Sequence, residues 1–391
     1  MQRLPEFDDA IQDLSEQLDR RLVILDESMR AVAYSIHETA QDRKRLSHIL
    51  AHSSTWSAPR TAKARYRIEE LPEIGAMLFI RLVDSNQYII GHLVIPLTDP
   101  EKVAERVDDA VASVAIQDAE RLGDLLEAWR HNAANQTTRS HQHTVDLVTG
   151  NPQQRSEAAD ALLADRILST SDRYCAVALG VDPRTATKQD HEKAALAVSR
   201  TVRFVNETST ATVVGGTLED NVGVLVFPRP VVIPRLIRIL EWPPLAQVRA
   251  GIGPLTTLDD IQRSFARART AWRATYLAPY DYEIVVAWDE LGLDGTLARL
   301  PVEDFTLEDL PASIRQLLGN VDSPVLLSTL EAYLSAGGDA QQTARTLHIH
   351  RSTLYYRLDK VRNAISGDLR NGELRRELHT GLRIAKLARL L

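Results

Sequence analysis

The residues best suited to chemistry stand near the C-terminal end of the chain, where cations, hydroxyls and aromatic rings alternate with apolar residues. Leu354, Leu358 and Val361 are spaced by four and then three positions, which predicts one buried stripe on a helix. The positions around this stripe form a candidate contact face, on which Asp359 is the one carboxylate. The contact face comprises His350, Arg351, Ser352, Thr353, Tyr355, Tyr356, Arg357 and Lys360. Such side chains hydrogen-bond base edges and neutralise phosphates, so the face suits the major groove of DNA.

The position of each residue along the helix divides the contact face into two expected roles. The start of a recognition helix reaches base edges, whereas cations further along reach phosphates. The residues expected near base edges are His350, Arg351, Thr353 and Tyr355. The residues expected near phosphates are Tyr356, Arg357 and Lys360. The alternative is an ordinary pair of packed helices that carries arginine and tyrosine on its solvated side.

Three helices are predicted to hold this face in place. An N-cap and a proline at 323–324 begin the first helix, and the glycines at 337–338 end it. Asp339 then caps a short second helix, in which Ala344 is small enough for a close helix crossing. Residues 348–350 form the turn before the third helix. This order of helices predicts a helix-turn-helix.

The distribution of charge agrees with a DNA-binding C-terminus. The whole chain carries a net charge of −7. From Asp339 to the end there are 11 Lys/Arg and 5 Asp/Glu, a balance of +6, so the preceding residues carry −13. A basic end on an acidic body is typical of a DNA-binding appendage, although a solvated helical face would give the same asymmetry.

The segment 337–361 resembles the C-terminal helix-turn-helix of the PucR/CdaR-type bacterial transcription regulators. The run HRSTLYYRL at 350–358 is the most specific part of this resemblance. The segment is also similar to the helix-turn-helix of the nucleoid protein Fis. The resemblance implies a regulator that binds double-stranded DNA as a homodimer or higher even-numbered oligomer, with a small-molecule effector sensed upstream.

The middle of the chain alternates strands and helices. Between 174 and 288 the pattern predicts an α/β sandwich, and it is similar to the GGDEF-like domain that often precedes this helix-turn-helix. A catalytic cyclase needs an acidic turn to hold metal and phosphates, whereas residues 215–219 read GGTLE and lack the adjacent acidic pair. The glycine pair in this run is expected to form a turn. We therefore expect no enzyme activity.

The N-terminal part shows strand pairs at 21–35 and 76–96 with a helix at 40–51, which suggests a small α+β domain. It is similar to GAF/PAS-type sensor modules, and either ligand sensing or dimerisation fits this pattern. A long helix is predicted to begin at Pro100, and its valines, leucines and Trp129 form an apolar stripe. This stripe would either pack on its own domain or form a dimer interface. The polar segment 130–140 is expected to be a linker or a helix break.

No other residues make a convincing reactive site. The histidines at 131, 141 and 143 lack the spacing of a metal site, and Cys175 lies in an apolar strand where a thiol is normally inert. No cofactor or metal is expected. The chain has no signal-peptide pattern and no apolar run of about 20 residues, so a cytoplasmic protein without a membrane partner is expected.

The expected fold class is multidomain α+β with an all-α C-terminal helix-turn-helix. The expected domains are a GAF/PAS-like domain at 1–130, a helical connector at 131–170, a degenerate GGDEF-like domain at 171–295, a linker at 296–322 and the DNA-binding domain at 323–391. Fis-like architectural binding and nucleotide processing remain the alternative functions.

Overall fold

The computed structural model describes residues 5–36, 39–57, 65–71, 74–97, 109–321 and 323–391. The chain divides into two compact units, Met1–Thr138 and Arg139–Leu391. Both units combine sheet and helix, and the last part of the second is purely helical, in agreement with the expected α+β class. Among these residues, no helix is both long and apolar enough to cross a membrane.

The first unit is built on a five-stranded antiparallel sheet with the order β2-β1-β5-β4-β3. The predicted strand pairs and the helix after the first pair are confirmed, whereas α1 and β3 were not predicted. The elements of this unit are α1 (Pro5–Leu18), β1 (Val23–Asp26), β2 (Ala31–Tyr34), α2 (Ala40–His52), β3 (Tyr66–Leu71), β4 (Gly75–Val83), β5 (Ile89–Pro96) and the first part of α3 (Asp109–Thr149).

Both faces of this sheet are buried. Alternate strand residues point to opposite faces, so neighbours such as Leu93 and Val94 enter different cores. One core joins the sheet to α1 and α3 through residues such as Ile11 and Leu122. The other core joins the sheet to α2 through Ile49. We call this second side the α2 face of the sheet.

Helix α3 runs without interruption from Asp109 to Thr149, so the predicted linker or break at 130–140 is wrong. That segment is polar but contains neither proline nor glycine, and polarity alone does not end a helix. Its threonine hydroxyls bond to the backbone of the helix itself, since the Thr137 hydroxyl donates to the Ala133 carbonyl at 2.9 Å.

The apolar stripe predicted on α3 packs within its own unit. Leu122 is buried in the core of the first unit, and Leu125 and Trp129 pack against that core. Val103 and Val107, which belong to the same predicted stripe, lie outside the described residues. Dimerisation through this helix stays a prediction.

The second unit opens with the end of α3 and a mixed sheet of order β10-β9-β6-β8-β7, in which only β9 and β10 run parallel. Helices α5 and α7 pack on this sheet. The elements are α4 (Pro152–Ala164), β6 (Cys175–Gly180), α5 (Lys188–Thr208), β7 (Val214–Thr217), β8 (Gly223–Phe227), α6 (Ile233–Leu240), β9 (Arg249–Ile252), α7 (Ile261–Leu277) and β10 (Val285–Ala287).

The glycine pair 215–216, expected to form a turn, lies inside β7 instead. The turn of this hairpin follows at 218–221. A Cβ at Gly216 would lie 2.9 Å from the His141 carbonyl oxygen on α3, and one at Gly215 would lie 2.5 Å from Val198 Cγ1 on α5. The two glycines therefore allow close packing against both faces of the strand.

The C-terminal elements are α8 (Asp294–Leu297), α9 (Ala312–Asn320), α10 (Pro324–Ser335), α11 (Ala340–Thr346), α12 (Arg351–Ile365) and α13 (Gly372–Leu387). The segment 296–322, expected to be a linker, is packed where it is described. Ile314 and Leu317 of α9 are fully buried in the core that α10–α13 share. Leu297, Ala298 and Val302 are buried instead in the core that holds α7 and the second sheet. The segment therefore contributes to both cores and is not a linker.

Candidate nucleic-acid interface

The third helix of the predicted helix-turn-helix is α12, and its buried stripe is as expected. Leu354 and Val361 have no exposed surface, and Leu358 is 4% exposed. These residues pack in the core of the C-terminal helices, so the opposite side of α12 faces solvent. Tyr355 and Tyr356 on that side are 51% and 61% exposed. Large aromatic side chains left this open are candidates for contact with a partner.

Helix α11 is fixed at its start by the Asp339 carboxylate, which accepts hydrogen bonds from the backbone N–H groups of Gln341 at 2.7 Å and Gln342 at 3.0 Å. These bonds lower the pKa of Asp339, the Gln342 bond being the stronger cause. Ala344 is buried where α11 approaches the neighbouring helices. The predicted cap and the predicted small residue are thus both present in the structure.

The turn between α11 and α12 reverses the chain through one residue in the left-handed region. His348 has φ +52°. The next residue, Ile349, donates its backbone N–H to the Ala344 carbonyl at 3.0 Å, and its side chain packs against the shared core. This geometry sets the start of α12 immediately after the turn.

His350 closes the first turn of α12, because its Nδ1 accepts the backbone N–H of Ser352 at 3.3 Å and lies 2.8 Å from the Ser352 hydroxyl. A nitrogen that accepts carries no proton, so in the neutral ring Nε2 carries it. The Nε2–H group is then a donor at the tip of the helix. Cap and contact roles for His350 are therefore compatible.

Arg351 and Thr353 are exposed on the first turn of α12. Within the part of the chain that the structure describes, no carboxylate forms an ion pair with Arg351. The helix N-terminus adds partial positive charge at the same place. This end of the helix is therefore available to an anionic or hydrogen-bonding partner.

The three residues expected near phosphates have different surroundings. The Lys360 ammonium lies 4.7 Å from the centre of the Tyr356 ring, a cation–π pair on the open side of α12. Arg357 is half-buried instead, and its Nη1 donates to the Thr329 hydroxyl of α10 at 3.2 Å. Arg357 thus also braces α12 against α10, a role that the sequence did not suggest.

Helix α13 ties the C-terminal helices to the middle domain, by which we mean the sheet β6–β10 with its helices (residues 171–295). Arg383 Nε lies 2.9 Å from Asp294 Oδ1, and the same guanidinium contacts Asp281. The Tyr282 hydroxyl donates to Asp294 Oδ2 at 2.7 Å. Sequence reasoning missed this cluster, because the 89 positions between Arg383 and Asp294 leave no local pattern.

Residues weighed for other chemistry have structural partners. His141 Nε2 accepts the Thr217 backbone N–H at 2.7 Å. Burial raises the pKa of the Cys175 thiol to about 12, which agrees with the expected inert thiol. In the ranges that the structure describes, no three histidine, cysteine or acidic residues converge as a metal site would require.

Residues 326–384 match the family described as the PucR C-terminal helix-turn-helix domain. The match spans α11 and α12, so the resemblance stated from the run at 350–358 is confirmed for this segment. The purine catabolism regulatory protein of Bacillus subtilis (strain 168) is 30% identical over 132 residues, which are 33% of this chain and 24% of that protein. The chain thus aligns with about a quarter of the length of this curated relative.

Two crystal structures cover similar shares of the chain. A regulator of polyketide synthase expression from Bifidobacterium adolescentis is 18% identical and covers 65% of this chain and 98% of its own, with a TM-score of 0.29. PelD 158-CT from Pseudomonas aeruginosa PAO1 is 13% identical and covers 66% and 85%, with a TM-score of 0.18. TM-scores this low do not indicate a shared fold.

Proposed function

We propose that this chain is a sequence-specific DNA-binding transcription regulator, since it carries a helix-turn-helix of the PucR C-terminal type. The observation that carries the proposal is the solvent face of α12, which presents cations, hydroxyls and tyrosines opposite the buried stripe of Leu354, Leu358 and Val361. A recognition helix in the major groove needs such a face at its start.

The proposed division of roles follows the geometry of α12. Arg351, Thr353 and Tyr355, with Nε2 of His350, are proposed to meet base edges. Lys360 and Tyr356 are proposed to meet phosphates as one unit, since the ammonium lies over the ring. Arg357 keeps a proposed phosphate contact through its remaining N–H groups, while Nη1 holds Thr329. Ser352, whose hydroxyl faces His350, is proposed to orient that ring.

A homodimer, or a higher even-numbered oligomer, is proposed as the binding form. One recognition helix contacts too few base pairs for tight specific binding, and paired half-sites about one helical turn apart are the usual solution. An effector would act by changing the relation of two such helices, and hence the affinity for an operator.

The upstream domains are proposed to be a GAF/PAS-like sensor and a degenerate GGDEF-like domain. The sheet order β2-β1-β5-β4-β3 with helices on both faces supports the first assignment. The arrangement β6-α5-β7-β8-α6-β9-α7-β10, with β6 central, supports the second. The hairpin turn at 218–221 holds Asp220 in an ion pair with Arg269 at 2.6 Å, so this carboxylate is already engaged. This pairing favours a structural hairpin over nucleotide turnover.

Genome-wide mapping of bound DNA, followed by fluorescence anisotropy on the best site, tests the proposal. Arg351→Ala should weaken binding to the specific site by about 1–3 kcal/mol and relax base preference at one position. Lys360→Ala should weaken binding to all sequences and reduce the slope of log K against log salt by about 0.9.

Arg263→Ala is the matched control, because it removes one positive charge from an exposed side chain of α7 (73% exposed). It should leave both measurements unchanged. If all three substitutions changed DNA binding equally, the proposal that α12 is the recognition helix would be refuted. Occupied sites without a shared sequence motif would favour Fis-like architectural binding instead.

A further inference from the structure

His92 is a buried histidine of β5. It is 2% exposed, and among the described residues neither Nδ1 nor Nε2 has a hydrogen-bond partner. Burial lowers the pKa of His92, so its ring is neutral and keeps one donor and one acceptor. Buried polar groups are normally satisfied, because an unmade hydrogen bond in the interior is costly. An exception of this kind indicates a missing partner.

The neighbours of His92 show what kind of partner would fit. His92 lies opposite Leu25 of β1 and Arg81 of β4 in the sheet register. Directly opposite residues share a face, so all three lie on the α2 face, where Leu25 and Val94 are fully buried. The Phe79 ring stands edge-on to the imidazole, with centroids 6.4 Å apart. His92 therefore lies between an apolar core and the arginine on the same face of the sheet.

The cationic side of this boundary extends to the sheet edge. The Arg81 backbone N–H donates to the Arg65 carbonyl at 3.4 Å, which places Arg65 beside Arg81 across the β3–β4 ladder. Arg67 is the next residue of β3 on this face and pairs with Glu69 at 3.1 Å. Among the described residues, no carboxylate pairs with Arg81 or Arg65. Arg67 is thus paired, whereas within the described ranges the charges of Arg81 and Arg65 are open to an anion.

We propose that the α2 face of the first sheet binds a small organic acid, whose carboxylate is held by Arg81 with Arg65 beside it and hydrogen-bonded by His92, and whose apolar body lies against Phe79, Leu25 and Val94. An arginine recognises a carboxylate through paired N–H donors, and the neutral imidazole adds a third donor from within the core. Met29 and Met77 belong to the same core, and their unbranched side chains can repack around a guest. The regulatory meaning of this site rests on the proposed function, whereas binding itself is measured without DNA.

Isothermal titration of the full chain tests the proposal. The probes are benzoate, phenylacetate and hexanoate, each compared with its neutral amide. At least one acid should bind about tenfold or more tightly than its amide, since the amide lacks the charge that Arg81 recognises. Arg81→Gln should weaken that binding by about tenfold or more, and His92→Phe, which keeps the ring volume, by a similar factor.

Arg121→Gln is the control, because this exposed arginine stands on α3, whose buried residues pack on the other face of the sheet. It should bind the acid as the unchanged chain does. Absence of heat with all three acids, equal binding of acids and amides, or full binding by His92→Phe would each overturn the proposal. The last result would mean that His92 is an ordinary core residue. Loss of DNA binding with retained acid binding would count against the proposed function alone.

Discussion

Replacing Arg383 with methionine is expected to loosen α13 from the middle domain. Arg383 contacts both Asp294 and Asp281, and Asp294 is only 7% exposed. Methionine keeps much of the length and apolar area of arginine, so the substitution removes chiefly the charge and the donors. The Asp294 carboxylate would remain buried with the Tyr282 hydroxyl as its hydrogen-bond donor.

The expected loss follows from the burial of the pair. Removing one partner of a fully buried ion pair costs about 3–5 kcal/mol. Here 23% of the Arg383 side chain is exposed, so solvent screens part of the interaction, and Tyr282 still stabilises the carboxylate. We therefore expect a loss of about 2–3 kcal/mol in the free energy of unfolding of the second unit.

Urea titration of the full chain, with hydrogen exchange of the α13 amides, measures this loss. Arg376→Met is the matched control, because this arginine of α13 is 76% exposed and pairs with an exposed glutamate. It should change the unfolding free energy by less than about 0.5 kcal/mol. If Arg383→Met cost no more than Arg376→Met, the ion-pair cluster would not hold α13.

The effect of Arg383→Met should also depend on pH. Burial raises the pKa of Asp294, but the hydrogen bonds from Arg383 and Tyr282 outweigh it, so the net pKa lies below the ordinary value. A carboxyl whose pKa is lowered by folding contributes stability above its unfolded pKa, about 3.9, and loses it as pH falls through the folded pKa. The difference between the two proteins should thus be complete above about pH 4–5 and shrink in stronger acid.

Two further predictions concern single residues. Gly338→Ala should destabilise the C-terminal helices by about 1–2 kcal/mol, because φ is +87° and the new Cβ would meet the Arg375 guanidinium. Gly337→Ala, at φ +64° with open space around it, should cost about 1 kcal/mol. Equal urea midpoints for the two variants would contradict this order. His92→Phe should stabilise the first unit by about 1–3 kcal/mol, because it removes two buried nitrogens that have no hydrogen-bond partner among the described residues. Because folding lowers the pKa of His92 from 6.5, the unchanged protein should lose stability as pH falls below about 6.5. If His92→Phe lost stability in parallel, another group would be the cause of the pH dependence.

The elements that could be predicted from the sequence are those with local signals. The helix-turn-helix has a cap at Asp339, glycines after α10 and an apolar stripe on α12, and all three lie between residues 337 and 361. Each signal arises from backbone sterics or from helical periodicity, and neither depends on distant parts of the chain. The helices and the buried stripe of α12 could therefore be predicted from the sequence alone, whereas the DNA contacts of its exposed side stay a prediction.

The features that escaped prediction depend on distant neighbours. Strand β3 reads YRIEEL, with charges at three of its six positions, and it is a strand because β4 provides its ladder. The glycine pair of β7 was expected to turn the chain, yet α3 and α5 require its lack of side chains. In the candidate site, the hydrogen bond from Arg357 to Thr329 depends on how α10 crosses α12. The spacing of residues in the sequence does not reveal this crossing.

The docking of α13 limits how the C-terminal helices can respond to a signal. Leu387 of α13 is buried in the core of the middle domain, and Ile384 packs against the same core. Swinging the recognition helix on a flexible linker would have to expose these residues and break the Arg383 cluster. Both costs are avoided if the second unit moves as one body. We therefore expect an effector to change operator affinity by altering how two copies of this unit are spaced, and not by releasing α12 within one copy.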